Sequence, residues 1–232
     1  MADEIDLQTA FATAAALLGK SSYNANVKFY PYAGLKSTIR LRDGQILAKV
    51  SDGYSAADLD CLTGLALDLM IKLFRISKID ARMDSYLEKF QSLNGRGVYE
   101  LHESLRGRRG RKRMGKSEGS ARNLQWILDK VLGDCPEAFA GIGKPSIIWS
   151  RDISHRRLAF YDTAFGQIVV SRKFDSDKYP EFFLEYLVYH ELLHAKHDVK
   201  YGKRRRVHHR EFVLDEKKFP RYEEARALMG KI

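Results

Sequence analysis

One pentapeptide constrains this chain more than any other feature: His190-Glu191-Leu192-Leu193-His194, within the segment PEFFLEYLVYHELLHAKH. The residues before it are apolar almost all round, which predicts a helix buried in a core. On such a helix the two histidines, four residues apart, share one face. Two imidazoles at this spacing can bind one Zn²⁺, and the glutamate between them can take a proton from a water on the metal. The segment therefore predicts a zinc site with His190 and His194 as ligands and Glu191 as general base.

The sequence must supply a third ligand, because catalytic zinc sites usually have three protein ligands. His197 lies one turn further along the same helix, but three side chains from successive turns of one helix face cannot surround a tetrahedral metal. Glu223 or Glu224, in a later helix, would give a site of two histidines and one glutamate. His208 or His209 would complete a three-histidine site, since the loop before them can fold back.

The order of these residues resembles the SprT-like zinc metalloproteases. HELLHAKH, followed after a polar loop by His208-His209-Arg210-Glu211-Phe212, is similar to their H-E-x-x-H helix and later H-G-x-x-F motif, and also to the related YgjP-like and WLM metallopeptidases. The similarity aligns His208 with the third metal ligand, and His209 is the alternative. Over about residues 145–215 it implies a compact zincin-like fold, one Zn²⁺ per chain and hydrolysis of peptide bonds in protein substrates.

Clustered positive charge predicts a polyanionic partner. The net charge is +10, and residues 106–116 contain seven basic residues, three glycines and no acidic residue. A second basic run, residues 200–206, lies between the predicted second and third metal ligands. Arginine pairs with phosphate and glycine lets the backbone follow a polyanion, although such runs are also common as solvated charge. We predict single-stranded or junction DNA as partner, with contacts from Arg106, Arg108, Arg109, Arg111, Lys112, Arg113, Lys203, Arg204, Arg205 and Arg206. The family resemblance also implies DNA, because several SprT-like proteases act on DNA-attached proteins and are activated by DNA.

The order of predicted elements indicates an α+β fold with three regions. These are an N-terminal α+β region over 1–94, a basic loop or linker over 95–119, and a protease core over 120–232. Helices are predicted at 5–18, 55–74 (capped by Ser55), 81–93, 121–132 (capped by Ser120), 208–217 and 220–229, besides the metal-site helix. Strands are predicted at 27–30, 37–42, 45–50, 146–149, 157–161 and 167–171, with a hairpin turn at Asp43-Gly44. No internal repeat is evident in the sequence.

Two further roles, supporting a ligand histidine and stabilising an oxyanion, are each predicted for a set of alternative residues. Glu211 or Asp215 is predicted to hold a ligand histidine through its second ring nitrogen, as metal sites commonly require. Tyr222, Tyr201, Arg210 or His209 is predicted to stabilise a developing oxyanion, and the sequence does not choose among them.

Cysteine use and the N-terminus bear on the compartment. Cys61 and Cys135 are isolated, which fits a reducing compartment. Acidic residues precede the first apolar patch, and that patch is too short to span a bilayer. We therefore predict a cytoplasmic protein that can associate with a nucleoid or nucleus and makes no contact with a membrane.

The sequence as a whole predicts a zinc metalloprotease acting on DNA-bound proteins. Two alternatives stay open: a nucleic-acid-binding protein with a structural zinc site, and a zinc hydrolase with a non-protein substrate. The intact Glu191 favours catalysis, because a structural site has no use for a base.

Overall fold

The computed structural model describes residues 2–93, 95–154, 156–200 and 206–232, and of Arg96 only the backbone. The chain is an α+β protein, as predicted, and it divides into two compact units, Met1–Arg111 and Lys112–Ile232. Each unit has a hydrophobic core of its own. Four predicted site residues, Tyr201, Lys203, Arg204 and Arg205, lie outside the described residues. None of the described helices is long and apolar enough to cross a bilayer.

The first unit combines one three-stranded sheet with four helices. Its elements are α1 (Glu4–Leu17), β1 (Asn24–Tyr30), β2 (Ser37–Arg42), β3 (Gln45–Ser51), α2 (Leu59–Phe74), α3 (Ala81–Ser92) and α4 (Arg96–Arg109). The strand order is β1-β3-β2, with β1 parallel and β2 antiparallel to β3. Asp43 and Gly44 form the predicted hairpin turn, both with positive φ (49° and 73°), which a two-residue hairpin favours. Helices α1 and α2 bury their apolar residues against one face of this sheet.

The N-cap residue of the long helix α2 lies three residues after the predicted one. Asp58, not Ser55, is its N-cap residue, and the Asp58 carboxylate accepts a hydrogen bond of 2.9 Å from the N–H of Cys61. Ser55 instead ends a short 3₁₀ turn at Asp52–Tyr54. Serine and aspartate both cap helices well. Because Ser55 belongs to the 3₁₀ turn after β3, Asp58 is the residue left to cap α2.

The loop predicted over 95–119 is wrong for its first half, which is helix α4. Leu105 of this helix is only 3% exposed, and His102 accepts a hydrogen bond of 3.0 Å at Nδ1 from the N–H of Leu35. Val98, Leu101 and Leu105 recur at helical spacing, a pattern that the many arginines and glycines conceal. Most of the predicted linker therefore belongs to the first unit, whose boundary lies after Arg111.

The second unit contains the predicted metal-site helix within its core. Its elements are α5 (Leu124–Asp134), β4 (Ser146–Trp149), β5 (Ala159–Asp162), β6 (Gln167–Val170), α6 (Glu181–Lys196), α7 (Arg210–Glu216) and α8 (Tyr222–Met229). The strand order is β4-β6-β5, with β4 parallel and β5 antiparallel to β6. Helix α6 buries nine of its residues, as its apolar sequence predicts. It carries His190, Glu191 and His194 on a rigid element.

Helix α5 begins at Leu124, after the cap Asn123, and not after the predicted cap Ser120. The backbone N–H groups of Ser120, Ala121 and Arg122 donate instead to the Asp175 carboxylate, at 2.6, 2.9 and 3.1 Å. A helix that began at Ala121 would leave its first N–H groups without an intrahelical acceptor; the Asp175 carboxylate satisfies these groups, and Asn123 caps the helix after them.

The two units repeat one architecture, although the sequence shows no repeat. Each has a helix, a strand, a hairpin, a 3₁₀ turn and a second helix, in that order. The matching extends to single hydrogen bonds: the N–H of Ser51 donates to the carbonyl of Lys36 (2.9 Å), and the N–H of Ser171 to that of Leu158 (2.8 Å). Helix α2 thus corresponds to α6, but its sequence contains neither histidine nor glutamate. The predicted metal ligands occur in the second unit alone.

Candidate metal centre

Three histidines converge in the second unit. His190 and His194 lie one turn apart on α6, and His208 lies two residues before α7. One ring nitrogen from each of the three lies within 4.8 Å of the other two, and the Nε2 atoms of His194 and His208 are 3.3 Å apart. The group is close enough to bind one metal ion. His208 is exposed, so the group opens to solvent on that side.

Phe212 packs against all three histidines. Its ring centroid lies 5.2 Å from that of His190, 4.8 Å from His194 and 4.7 Å from His208. Phe212 is fully buried in α7, so one rigid aromatic side chain restricts the three rings together. Helix α7 therefore brings the site both this support and, at its N-terminal end, the adjacent His208.

Glu191 is the buried carboxylate of the site. It is 5% exposed, and its Oε2 atom has no hydrogen-bond partner among the described residues. Burial raises its pKa to about 7, against the opposing effects of His190, a hydrogen bond with the backbone of Tyr161, and Arg157. A buried carboxylate oxygen without a partner is costly, and such groups concentrate at functional sites. Its position directly after His190 therefore makes this part of α6 a candidate functional site.

Glu216 contacts His190 at the Nδ1 atom of its ring. Its Oε1 atom lies 2.7 Å from the Nδ1 atom of His190 and accepts a second hydrogen bond, also of 2.7 Å, from the hydroxyl of Tyr186. Burial opposes ionisation of Glu216, but these two hydrogen bonds and the positive charge of Arg226 lower its pKa. A carboxylate at Nδ1 fixes the tautomer that leaves Nε2 available as an electron-pair donor.

The prediction of Glu211 or Asp215 for this role is wrong. The Asp215 carboxylate lies 2.9 Å from Nε2 of His197, and the Glu211 carboxylate lies 2.7 Å from Nδ1 of His209. Neither partner histidine belongs to the convergent group. Glu216 immediately follows Asp215, so the rotation of α7 decides which carboxylate faces His190.

The other candidate ligands lie elsewhere. His209 is buried, and its ring packs at 5.2 Å from that of His197, apart from the convergent group. Glu223 and Glu224 are exposed on α8, where Glu224 pairs with Arg221. Among the described residues, the geometry thus selects His208 from the alternatives as the third histidine.

Three of the predicted oxyanion donors, His209, Arg210 and Tyr222, lie in different surroundings. His209 is engaged by Glu211, and Arg210 is exposed at the start of α7. Tyr222 packs its ring 6.2 Å from that of Tyr186, in the layer behind His190. None of these contacts singles out one donor.

A cavity of about 630 Å³ lies beside the C-terminal end of α6. It is lined by Ala195, which follows Glu191 by one helical turn on the same face, and by Tyr161 of the edge strand β5. Gly141, Gly143 and Lys144 border it from the loop before β4. The volume is sufficient for a substrate side chain.

The residues predicted to contact nucleic acid are distributed over both units. Arg106 pairs with Glu103 (3.2 Å) and Arg109 with Asp52 (2.6 Å), both within the first unit. The guanidinium group of Arg113 lies 5.2 Å from the ring centroid of Phe160 in the second unit. The remaining described residues of the prediction, Arg108, Arg111, Lys112 and Arg206, are exposed.

Comparisons with protein-family models, with curated proteins and with solved structures found no match to this chain.

Proposed function

We propose that this protein is a zinc-dependent metallopeptidase of the SprT-like kind, with His190, His194 and His208 as metal ligands and Glu191 as general base. The observation that carries the proposal is the convergence of three histidines next to a buried carboxylate whose Oε2 atom has no described partner. Imidazole nitrogens are ligands that zinc prefers, and three of them leave the fourth position of a tetrahedral site open.

The residues present fit this ion. Zinc bound there would polarise a substrate carbonyl and lower the pKa of a water molecule towards neutrality. Glu191 supplies the proton acceptor at Oε2, and its burial keeps competing water away from that atom. Glu216 keeps the Nδ1 side of His190 occupied, and Phe212 limits rotation of the three rings. The cavity beside Ala195 supplies room for a substrate side chain, one helical turn from the base along α6.

Association with DNA forms the second part of the proposal. It is supported by the net charge of +10 and by the clustering of basic residues. Proteins attached to DNA are the corresponding substrate class. A structural zinc site is the less favoured alternative, because it would leave the buried Glu191 without a role.

The test is cleavage of casein or histone by the zinc-loaded protein, with and without single-stranded DNA, beside the variant Glu191→Gln. Loss of a general base lowers turnover by about 10²–10⁴-fold, while zinc should still bind at one equivalent. Glu223→Gln is a matched control, because Glu223 is an exposed glutamate of α8.

Cleavage that depends on Glu191 but not on Glu223 would support the peptidase, and stimulation by DNA would support the second part. Zinc bound at one equivalent without cleavage in any sample would overturn the peptidase in favour of a structural site or a non-protein substrate.

A further inference from the structure

The first sheet has an open face that carries positive charge and tyrosines. Helices α1 and α2 cover the side on which Val27, Ile46 and Val50 are buried. Residues of alternate parity point away from that core; they are exposed on β1 and β2, and on β3 Gln45 and Lys49 are exposed. We call this the basic sheet face, and it consists of Lys28, Tyr30, Thr38, Arg40 and Lys49, together with Tyr32 and Lys36 from the β1–β2 connection.

Strand pairing brings the cations of this face together. Lys28 of β1 lies directly opposite Lys49 of β3, and Lys49 lies opposite Thr38 of β2. Arg40 lies one pair further along β2 on the same side. None of the three strands contains an aspartate or glutamate. Like charges on adjacent strands repel each other, and a negatively charged ligand would relieve this repulsion.

Two tyrosine rings are held in place among these cations. The ring centroids of Tyr30 and Tyr32 are 4.7 Å apart, with an interplanar angle of 55°. The ammonium group of Lys49 lies 4.7 Å from the centroid of Tyr30, and the hydroxyls of Tyr32 and Thr38 are 2.9 Å apart. Tyr30 is 40% exposed. The two rings are therefore held in place, and Tyr30 is accessible to solvent.

Arg109 supports this arrangement from α4. Its guanidinium group donates to the carbonyl of Tyr32 (3.3 Å) and pairs with Asp52 (2.6 Å). Arg109 was predicted to contact nucleic acid, but here it fixes the backbone of the segment that carries Tyr32. Its role on this face is positioning.

The second unit provides an internal comparison. Since Ser51 and Ser171 occupy equivalent positions, the strand registers match Lys28 with Ile148, Lys49 with Val169 and Thr38 with Phe160. The same architecture thus carries apolar residues on the corresponding face of its other copy, where Ile148 and Val169 are buried. The fold does not require a basic face. The architecture alone therefore does not account for the charge on this face of the first unit.

We infer that the basic sheet face binds single-stranded nucleic acid. Lysine and arginine neutralise its phosphates, and unstacked bases pack on Tyr30 and Tyr32. An acidic peptide would use the cations but not the pair of rings, and in a duplex the bases are not available for stacking. The inference rests on the nucleic-acid part of the proposed function and is independent of the peptidase.

The test is fluorescence anisotropy of a labelled 20-nucleotide single strand with the full-length protein, in separate DNA and RNA series. Every titration uses the Glu191→Gln background, so that loss of binding cannot be confused with loss of hydrolysis. A duplex and polyglutamate are the competitors. Thermal unfolding of each variant confirms that it folds.

Tyr30→Ala should weaken binding about tenfold or more, and Tyr30→Phe should bind as the parent does, because stacking needs the ring and not the hydroxyl. The double variant Lys28→Gln/Lys49→Gln should lower the slope of log K against log salt by about 1.4, at about 0.7 per lost phosphate contact with a single strand. Lys72→Gln/Lys78→Gln removes the same charge from exposed positions of the first unit outside the sheet, and it should leave the slope unchanged.

Binding lost to the same extent in both double variants would overturn the inference, since charge alone would explain it. Equal competition by duplex or by polyglutamate would overturn it as well, the latter in favour of an acidic protein partner. Absence of binding to either single strand would remove the inference and leave the peptidase untouched. Preference between the DNA and RNA series identifies the natural source of the ligand.

Discussion

At the scale of single residues, Glu216 connects the metal centre to the layer behind it, because one oxygen serves both His190 and the hydroxyl of Tyr186. We predict that Glu216→Gln weakens zinc binding about 10–100-fold, the usual effect of removing a carboxylate behind a ligand histidine. Competition with a chromophoric chelator measures the affinity. Glu224→Gln is the control, since Glu224 is exposed on α8. Equal affinities for the Glu216 variant and the parent would contradict the role assigned to Glu216.

His208 and His209 are adjacent but face different partners. His208 lies 3.3 Å from His194 between their Nε2 atoms, whereas Nδ1 of His209 lies 2.7 Å from Glu211. We therefore expect His208→Ala to lose tight zinc binding, because two ligands remain, and His209→Gln to keep one equivalent of zinc. Isothermal titration of both metal-free variants measures this directly. The opposite pattern would transfer the third ligand to His209.

The sequence predicts residue contacts well only where they are local. The nearness of His190 and His194 follows from a spacing of four on a helix. The contact of Glu216 with His190 depends on the rotation of α7 against α6, a tertiary property. The prediction named Glu211 or Asp215, and both carboxylates contact other histidines, although Asp215 lies only one position from Glu216.

At the scale of elements, Asp215 joins the end of α6 to α7. Its carboxylate accepts hydrogen bonds from Lys196 (2.7 Å) and Lys218 (2.6 Å) and contacts His197, with the side chain only 14% exposed. Burial raises the pKa of Asp215, but the three cationic or polar partners outweigh burial and hold the pKa well below its usual range.

We predict that Asp215→Asn lowers the free energy of unfolding by about 1–3 kcal/mol at pH 5.5, the range for a hydrogen-bonded charged group. Because the folded-state pKa is depressed, this stabilisation is fully present above the unfolded pKa of about 3.9. It is lost as the pH falls towards the folded-state pKa. Urea unfolding of the metal-free protein at pH 5.5 and pH 3 should therefore show a smaller difference at pH 3.

Asp177→Asn serves as the control for this pH effect. The Asp177 side chain is 83% exposed in its ion pair with Arg122, and exposed pairs contribute about 0–1 kcal/mol. A difference for Asp215→Asn that stays constant with pH would mean that shape, and not charge, explains its effect.

Element types were predictable, and element ends were less so. Strands β2 and β4 have the predicted bounds, because alternation and turn residues are local signals. The starts predicted at Ser55 and Ser120 are wrong because another residue caps the helix in each case, and at Ser120 Asp175 takes up the backbone donors. Helix α4 was missed because its composition resembles that of a solvated run.

At the scale of the whole molecule, the division after Arg111 separates the metal centre from the first core. All three histidines, Glu191 and Glu216 lie in Lys112–Ile232, which has a hydrophobic core of its own. We predict that a fragment of residues 112–232 folds and binds one equivalent of zinc, and that residues 1–111 bind none. Circular dichroism and metal analysis of the two purified fragments measure this. A C-terminal fragment that folds but takes up no zinc would contradict a self-contained metal centre.

The repeated architecture could not be predicted from the sequence, because the two copies share hydrogen-bonding geometry and not residues. Ser51 and Ser171 each open a 3₁₀ turn by accepting from an N–H two positions later, yet the strands around them differ in charge. Binary patterning determines which face is buried. It does not determine what the opposite face carries, and there the two copies diverge.

The backbone of Lys200 and Arg206 is joined by two hydrogen bonds, of 3.0 and 2.9 Å, between the second and third histidines of the metal centre. A segment whose ends are already fastened can change in length or sequence without displacing the next part of the chain, since lengthening a closed loop adds little entropic cost. His208 follows Arg206 by two residues, so the paired ends hold the chain in place just before the third histidine. Changes to the sequence between the paired ends are therefore expected to leave the position of His208 unchanged.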